Sequence, residues 1–194
     1  MRTVATMTLD APATDAPEAP TLVNGVDTDA LRAFIQNVQA APGEGLCAFR
    51  VRTAWQGGVR TCSRVDHWTL AGVTLPRGYA IHTDEPRELC GADSAPNPQE
   101  VLMAGLNACM SVGYVALCAL EGIRLDSLEI ECSGQLDLRG FLGLDDSVKP
   151  GYDAIRTVVR IKGDGTPEQF QRIHRQVMKT SPNYFNIARP VRID

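Results

Sequence analysis

An α+β fold is predicted for this chain, with elements in the order βββ-α-ββ-α-β around one long central helix. Three observations predict it. The stretch NPQEVLMAGLNACMSVGYVALCALEG, Asn97 to Gly122, is apolar on nearly every helical face and carries helix start and stop signals. The segments on either side alternate apolar and polar residues with period two, as half-buried strands do. Finally, the strands come in runs and do not alternate one for one with helices, which separates α+β from a doubly wound sheet.

Residues 1–26 open the chain with MRTVATMTLDAPATDAPEAP, whose Ala, Pro, Thr and Asp offer little apolar area and no continuous run of the kind a secretory signal needs. They are expected to form a mobile arm. Residues 27–45 are expected to form an N-terminal helix and linker: Leu31, Phe34, Ile35 and Val38 make one stripe, Asp27 or Thr28 caps it and Pro42-Gly43 stops it. The main domain spans 46–194. Its first strand alternates Cys47, Phe49, Val51, Thr53 and Trp55 with Arg50 and Arg52 up to a turn at Gln56-Gly57-Gly58. A second strand runs from Val59 to Leu70, Pro76-Arg77-Gly78 reads as a turn, and Tyr79 to Thr83 is the third strand. The loop DEPRELCGADSAPNP then leads to the long helix, where Asn97 is the cap, Pro98 fills the first turn and Gly122 is the left-handed stop.

Beyond Gly122, SLEIECSGQLDL is a strand in which Gly134 marks a bulge or a close approach, and AIRTVVRIKG is another, with Ile155, Thr157, Val159 and Ile161 on one face. Thr166-Pro167-Glu168-Gln169 is a capping box opening a helix that buries Phe170, Ile173 and Val177. Ser181-Pro182 ends or restarts that helix. Pro190 to Ile193 is expected to be a last short strand.

An apolar fraction of 44% and a net charge of −4 with no Lys/Arg run exclude the footprint of a nucleic-acid binder. The long helix is too Gly-punctuated and too closely flanked by charge to call for a membrane. Cys47, Cys62, Cys90, Cys109, Cys118 and Cys132 show no CxxC spacing, so neither a disulfide framework nor a zinc site is implied, and a reducing cytoplasm is the expected location. His67, His82 and His174 lack ligand spacing, and there is no Gly-rich phosphate loop or GxSxG elbow. No metal and no cofactor are expected.

DEPRELCGAD, APNPQEVLMAGLNAC, the Gly122-Ile123 turn, QLDLRGFLG and SPNYFN together resemble the family of osmotically inducible protein C and the organic hydroperoxide resistance proteins, over about residues 46–194. The resemblance implies an intertwined homodimer in which two sheets wrap the paired long helices. It also implies thiol-dependent reduction of small apolar hydroperoxides, with Cys109 as the reactive cysteine and an external thiol as reductant. The family's glutamate ten positions before that cysteine is replaced by Gln99, with Glu100 next to it, about 100° around the helix. Its second cysteine is replaced by Ser181, and Arg52 and Arg60 are the candidates for its activating arginine. With Ser181 in place of a resolving thiol, a one-cysteine cycle is expected.

The residues also carry plainer readings. Cys109 can be an inert core thiol, Glu100 can serve the first-turn amides, and Ser181 is a good N-cap before proline. Cys90 stands where the related segment has glycine, and Asp145-Asp146 reads as a solvated turn. Two functions follow: a thiol peroxidase, or a binding or accessory protein that keeps the fold and a dimer pocket.

Overall fold

The computed structural model describes residues 21–194. The expected arm over residues 1–20 lies outside the described residues. Its remaining stretch is not an arm: β1 (Leu22–Val23) and β2 (Val26–Asp27) form a small hairpin. Asn24 at φ 54° and Gly25 at φ 77° make its turn, the left-handed pair that Asn-Gly supplies. Asn24 Nδ2 donates to the Ile123 carbonyl at 2.9 Å, and the Leu125 amide donates back to Asn24 Oδ1 at 2.9 Å. The hairpin is thereby fastened to the far end of the long helix.

Helix α1 (Thr28–Ala40) begins at Asp27, whose carboxylate accepts from the Asp29 and Ala30 amides. Its apolar stripe is only partly covered within one chain, Phe34 being exposed. Next come β3 (Cys47–Phe49) and β4 (Arg52–Trp55), two pieces of the predicted first strand separated at Arg50-Val51. Both pair antiparallel with β5 (Thr61–Leu70), which pairs on its other side with β6 (Val73–Thr83). The turn between β5 and β6 is Ala71-Gly72, at φ 49° and 77°. Pro76-Arg77-Gly78, expected as a turn, lies inside β6: Pro76 stands across from His67 beside a register shift between Val65 and His67. A bulge is where a strand tolerates a residue without an N–H, so the proline marks an irregularity and not the chain reversal.

This meander has two unlike faces. Trp55, Tyr79 and Ile81 share one side, through their partners Thr61, Val65 and Ser63 on β5, and all three are exposed, Trp55 at 74%. Arg52, Arg64 and Asp66 stand on the other, where Phe49 stacks on Trp68 with ring centres 5.7 Å apart.

Helix α2 (Pro98–Leu120) is the predicted central helix. By length and composition it could cross a membrane, with a mean hydropathy of 1.8. Here one side of it forms the core: Leu106, Met110, Tyr114 and Cys118, spaced by four, pack with Ile123, Ile173 and Val177. Against that side lie β7 (Leu125–Gly134) and β8 (Ile155–Gly163), an antiparallel pair, and α4 (Pro167–Thr180). Ile155, Val159 and Ile161 face the core as the alternation predicts. Between the two strands, α3 (Leu138–Phe141) is a single helical turn. Gly134 allows a close approach: a Cβ there would stand 2.8 Å from the Tyr152 ring.

The other side of α2 is bare among the described residues. Ala104, Ala108 and Val112, again spaced by four, are exposed, Val112 at 69%. The C-terminal end departs from expectation. Ser181-Pro182 restarts a helix, α5 (Pro182–Ala188), and residues 190–194 form no strand. A strand needs a neighbour's edge to satisfy its amides, and residues 190–194 pair with no strand among the described residues.

Candidate thiol site

The loop from Asp84 to Pro96 delivers the chain to α2, and one buried carboxylate organises it. Asp84 accepts from the amides of Glu85, Ala92 and Ser94 and, at 2.7 Å, from the Ser94 hydroxyl. That hydroxyl above all, with the amides, outweighs burial and brings the Asp84 pKa down to about 2. Gly91 passes so close to the Glu85 carbonyl that a Cβ would stand 1.7 Å from its oxygen. Cys90 occupies a left-handed position, φ 63°, that glycine would fill without strain. Cys90 is exposed, with no hydrogen bond to Cys109.

At the head of α2, Asn97 and Glu100 form a reciprocal capping box. The Glu100 amide donates to Asn97 Oδ1 at 2.9 Å, and the Asn97 amide donates to Glu100 Oε2 at 2.8 Å. Glu100 therefore serves the helix start. Gln99 and Glu100 both line a cavity of about 490 Å³ that reaches Cys132, Met103, Phe141 and Tyr152 but not Cys109. Cys132 in its wall donates to Asn107 Oδ1 at 2.8 Å.

Cys109 lies ten residues further along α2, half-buried. Gly105, Cys109 and Gly113 form one stripe, and the junction of α4 with α5 crosses the helix over it. Val177 Cγ2 would stand 3.3 Å from a Cβ on Gly113, and Asn183 Nδ2 donates to the Gly105 carbonyl at 2.8 Å. Between these contacts the Ser181 hydroxyl donates to Cys109 Sγ at 3.3 Å. The same Ser181 oxygen accepts from the Tyr184 amide at 3.4 Å as the N-cap of α5. Ser181 is buried, so its two roles are fixed together.

Of the residues singled out from sequence, the structure brings Cys109 and Ser181 together and leaves the others apart. Arg52 pairs with Asp66 at 3.2 Å. Arg60 folds over its own turn, donating weakly to the Gly57 and Gln56 carbonyls at 3.4 Å each. Neither reaches Cys109 within the chain. Cys118 is fully buried, and burial, with Glu121 adding repulsion, pushes its thiol up to about 11, which keeps it protonated and inert. His174 makes a contact that its sequence position did not announce: its Nδ1 lies 2.5 Å from the Tyr114 hydroxyl. Burial raises Tyr114 to about 12, so the phenol stays neutral. Among the described residues no three His, Cys, Asp or Glu side chains converge to hold a metal.

Two residues that sequence reasoning passed over hold this framework. Asp84 was visible only as part of a motif, and Asn24 sits in an Asn-Gly pair between Val23 and Val26, a hairpin signal legible in the sequence.

These features define the class: an α+β protein in which one long helix packs on an antiparallel strand pair, preceded by a separate four-stranded antiparallel sheet, with a half-buried thiol at the helix crossing. The model of the OsmC-like protein family matches residues 91–194, and the chain belongs to that family. Among solved structures it is similar to an OsmC-like protein from Mycoplasma pneumoniae, with 13% identity and a TM-score of 0.57 over 73% of this chain and 87% of that one. It is likewise similar to a protein of Psychrobacter arcticus described in terms of osmotic stress induction and detoxification response, with 16% identity and a TM-score of 0.53 over 69% and 84%. Identities this low speak to the fold alone. An organic hydroperoxide resistance protein from Legionella pneumophila is a more distant likeness, 16% identical with a TM-score of 0.46 over 73% and 90%. No curated protein matches the chain.

Proposed function

We propose that the protein is a thiol-dependent reductase of small apolar hydroperoxides that works through Cys109 alone. The observation that carries this reading is the Ser181 hydroxyl at 3.3 Å from Cys109 Sγ. The position that the family resemblance gives to a second thiol is in direct contact with the first, so the two-residue site is kept with an oxygen in place of one sulfur. In the first step Cys109 sulfur attacks the outer peroxide oxygen, the O–O bond breaks, the alcohol leaves with a proton and Cys109 becomes a sulfenic acid. Serine cannot displace water from that sulfur. An external thiol does so, giving a mixed disulfide and water, and a second thiol releases reduced Cys109 and an external disulfide.

A second copy of the chain completes the site in this reading. Among the described residues no cation contacts Cys109, and none of these residues covers the exposed side of α2 or the Trp55, Tyr79 and Ile81 face of the β3–β6 sheet. Packing those faces across a two-fold axis buries both, and it brings in Arg60, the more weakly held of the two candidate arginines. Light scattering should therefore give twice the 21.0 kDa chain mass; a folded monomer at all concentrations would contradict the dimer.

Consumption of cumene hydroperoxide with a dithiol reductant tests the chemistry. Activity in the parent that falls at least 100-fold in Cys109→Ser supports it, and equal rates in the two would remove Cys109 from the reaction. One observation favours a second reading, as a binding protein. The cavity of about 490 Å³ lies apart from Cys109 and has the size and mixed lining of a small-molecule pocket. That reading gains if the parent consumes no hydroperoxide and dimedone leaves Cys109 unlabelled.

A further inference from the structure

The polar face of the β3–β6 sheet gathers charge in a way that the thiol site does not use. Arg50, Arg52 and Arg64, with Asp66 and His67, line one cleft of about 240 Å³. The strand register sets Arg52 directly opposite Arg64, which places two guanidinium groups side by side on neighbouring strands. Directly opposed like charges destabilise a strand pair unless something negative lies between them. Arg50, at the break between β3 and β4, adds a third cation to the same cleft.

Only one carboxylate is at hand. Asp66 pairs with Arg52 at 3.2 Å, and among the described residues neither Arg50 nor Arg64 has an ion-pair partner. The chain as a whole is acidic, at −4, yet this cleft holds two positive charges in excess before His67 is counted. The register sets Arg52 and Arg64 on the face opposite Trp55, Tyr79 and Ile81, so burial of those apolar side chains leaves the cleft open.

We propose that this cleft binds a small molecule through a phosphate group. Guanidinium groups approaching from two strands present planar forks of N–H donors to one shared space. A tetrahedral dianion offers oxygens on every side and can satisfy both forks, whereas a planar carboxylate satisfies one. The volume is below that of a pocket for a whole drug-sized ligand and suits a head group, with the remainder of the molecule lying over the sheet.

The test uses the full chain, with inorganic phosphate and glycerol 3-phosphate as probes at constant ionic strength set by sodium chloride. Phosphorus NMR line broadening reports binding, and thermal melting reports linkage. Broadening of either probe by the parent is expected, together with a melting temperature that rises with probe concentration. Tighter binding of the ester indicates a phosphorylated metabolite, and equal binding indicates the free ion. Arg64→Gln and Arg50→Gln should each weaken binding at least 10-fold. Arg64→Gln should also melt at the same or a higher temperature than the parent in phosphate-free buffer, because it removes a like-charge pair. No broadening by the parent at matched ionic strength would overturn the proposal, as would undiminished binding in both variants. A fall in the phosphate-free melting temperature of Arg64→Gln would make the arginine structural and overturn it too.

Discussion

Replacing Ser181 by cysteine should turn the site into a two-thiol pair, and the structure sets the size of the effect. Ser181 Oγ and Cys109 Sγ are 3.3 Å apart, and a disulfide requires about 2.04 Å, so side-chain movement of roughly 1.3 Å closes the bond. The bond would close a loop of 72 residues, for which chain-entropy arguments give an upper limit of about 4.4 kcal/mol. At 2–4 °C per kcal/mol for a chain of this size, the oxidised variant should melt roughly 10 °C above its reduced form. The reduced variant should melt a few degrees below the parent, since sulfur is a poor acceptor for the Tyr184 amide and a lost N-cap costs about 1 kcal/mol. The assay is one equivalent of cumene hydroperoxide, followed by peptide mapping and thermal melting with and without reductant. The parent, lacking that partner, should instead trap dimedone on Cys109. A Ser181→Cys variant whose Cys109 is oxidised but not joined to residue 181, or whose melting ignores reductant, would refute the placement of these two side chains.

Two further expectations concern stability. The Asp84 pKa is lowered in the folded protein to about 2 from 3.8, so its ionised form stabilises the fold above about pH 4, and that contribution fades as pH falls toward 2. Asp84→Asn should therefore be less stable at neutral pH, and its melting curves should converge on those of the parent between pH 4 and 2; a constant gap would contradict this. Asn24→Ala removes the acceptor of the Leu125 amide and the donor to the Ile123 carbonyl, at an expected cost of about 2 kcal/mol by urea denaturation. An effect below about 0.5 kcal/mol would show that the hairpin is not fastened to α2.

The sequence by itself determined α2 almost to the residue. Asn97, Pro98 and Gly122 bracket it, because capping and stop signals act within one turn and are decided by neighbours in the chain. Period-two alternation likewise placed β5, β7 and β8, and the capping box at Thr166 placed α4. Local rules failed where the partner of a segment is distant. Pro190–Ile193 has strand-like residues but pairs with no described strand, and Pro76 reads as a turn until the bulge beside it in β6 is known. Residues 22–27 look like arm until Asn24 meets Ile123, 99 positions away. The thiol site shows the same division. Cys109 could be picked out on the helix, but whether Ser181 was merely a cap or also a partner depended on α4 and α5 folding back over Gly105 and Gly113. That packing joins residues 72 positions apart, and only the tertiary structure decides it. The cross-strand meeting of Arg52 and Arg64 is of the same kind, because strand register is set by turns and bulges jointly and is not carried by either strand alone.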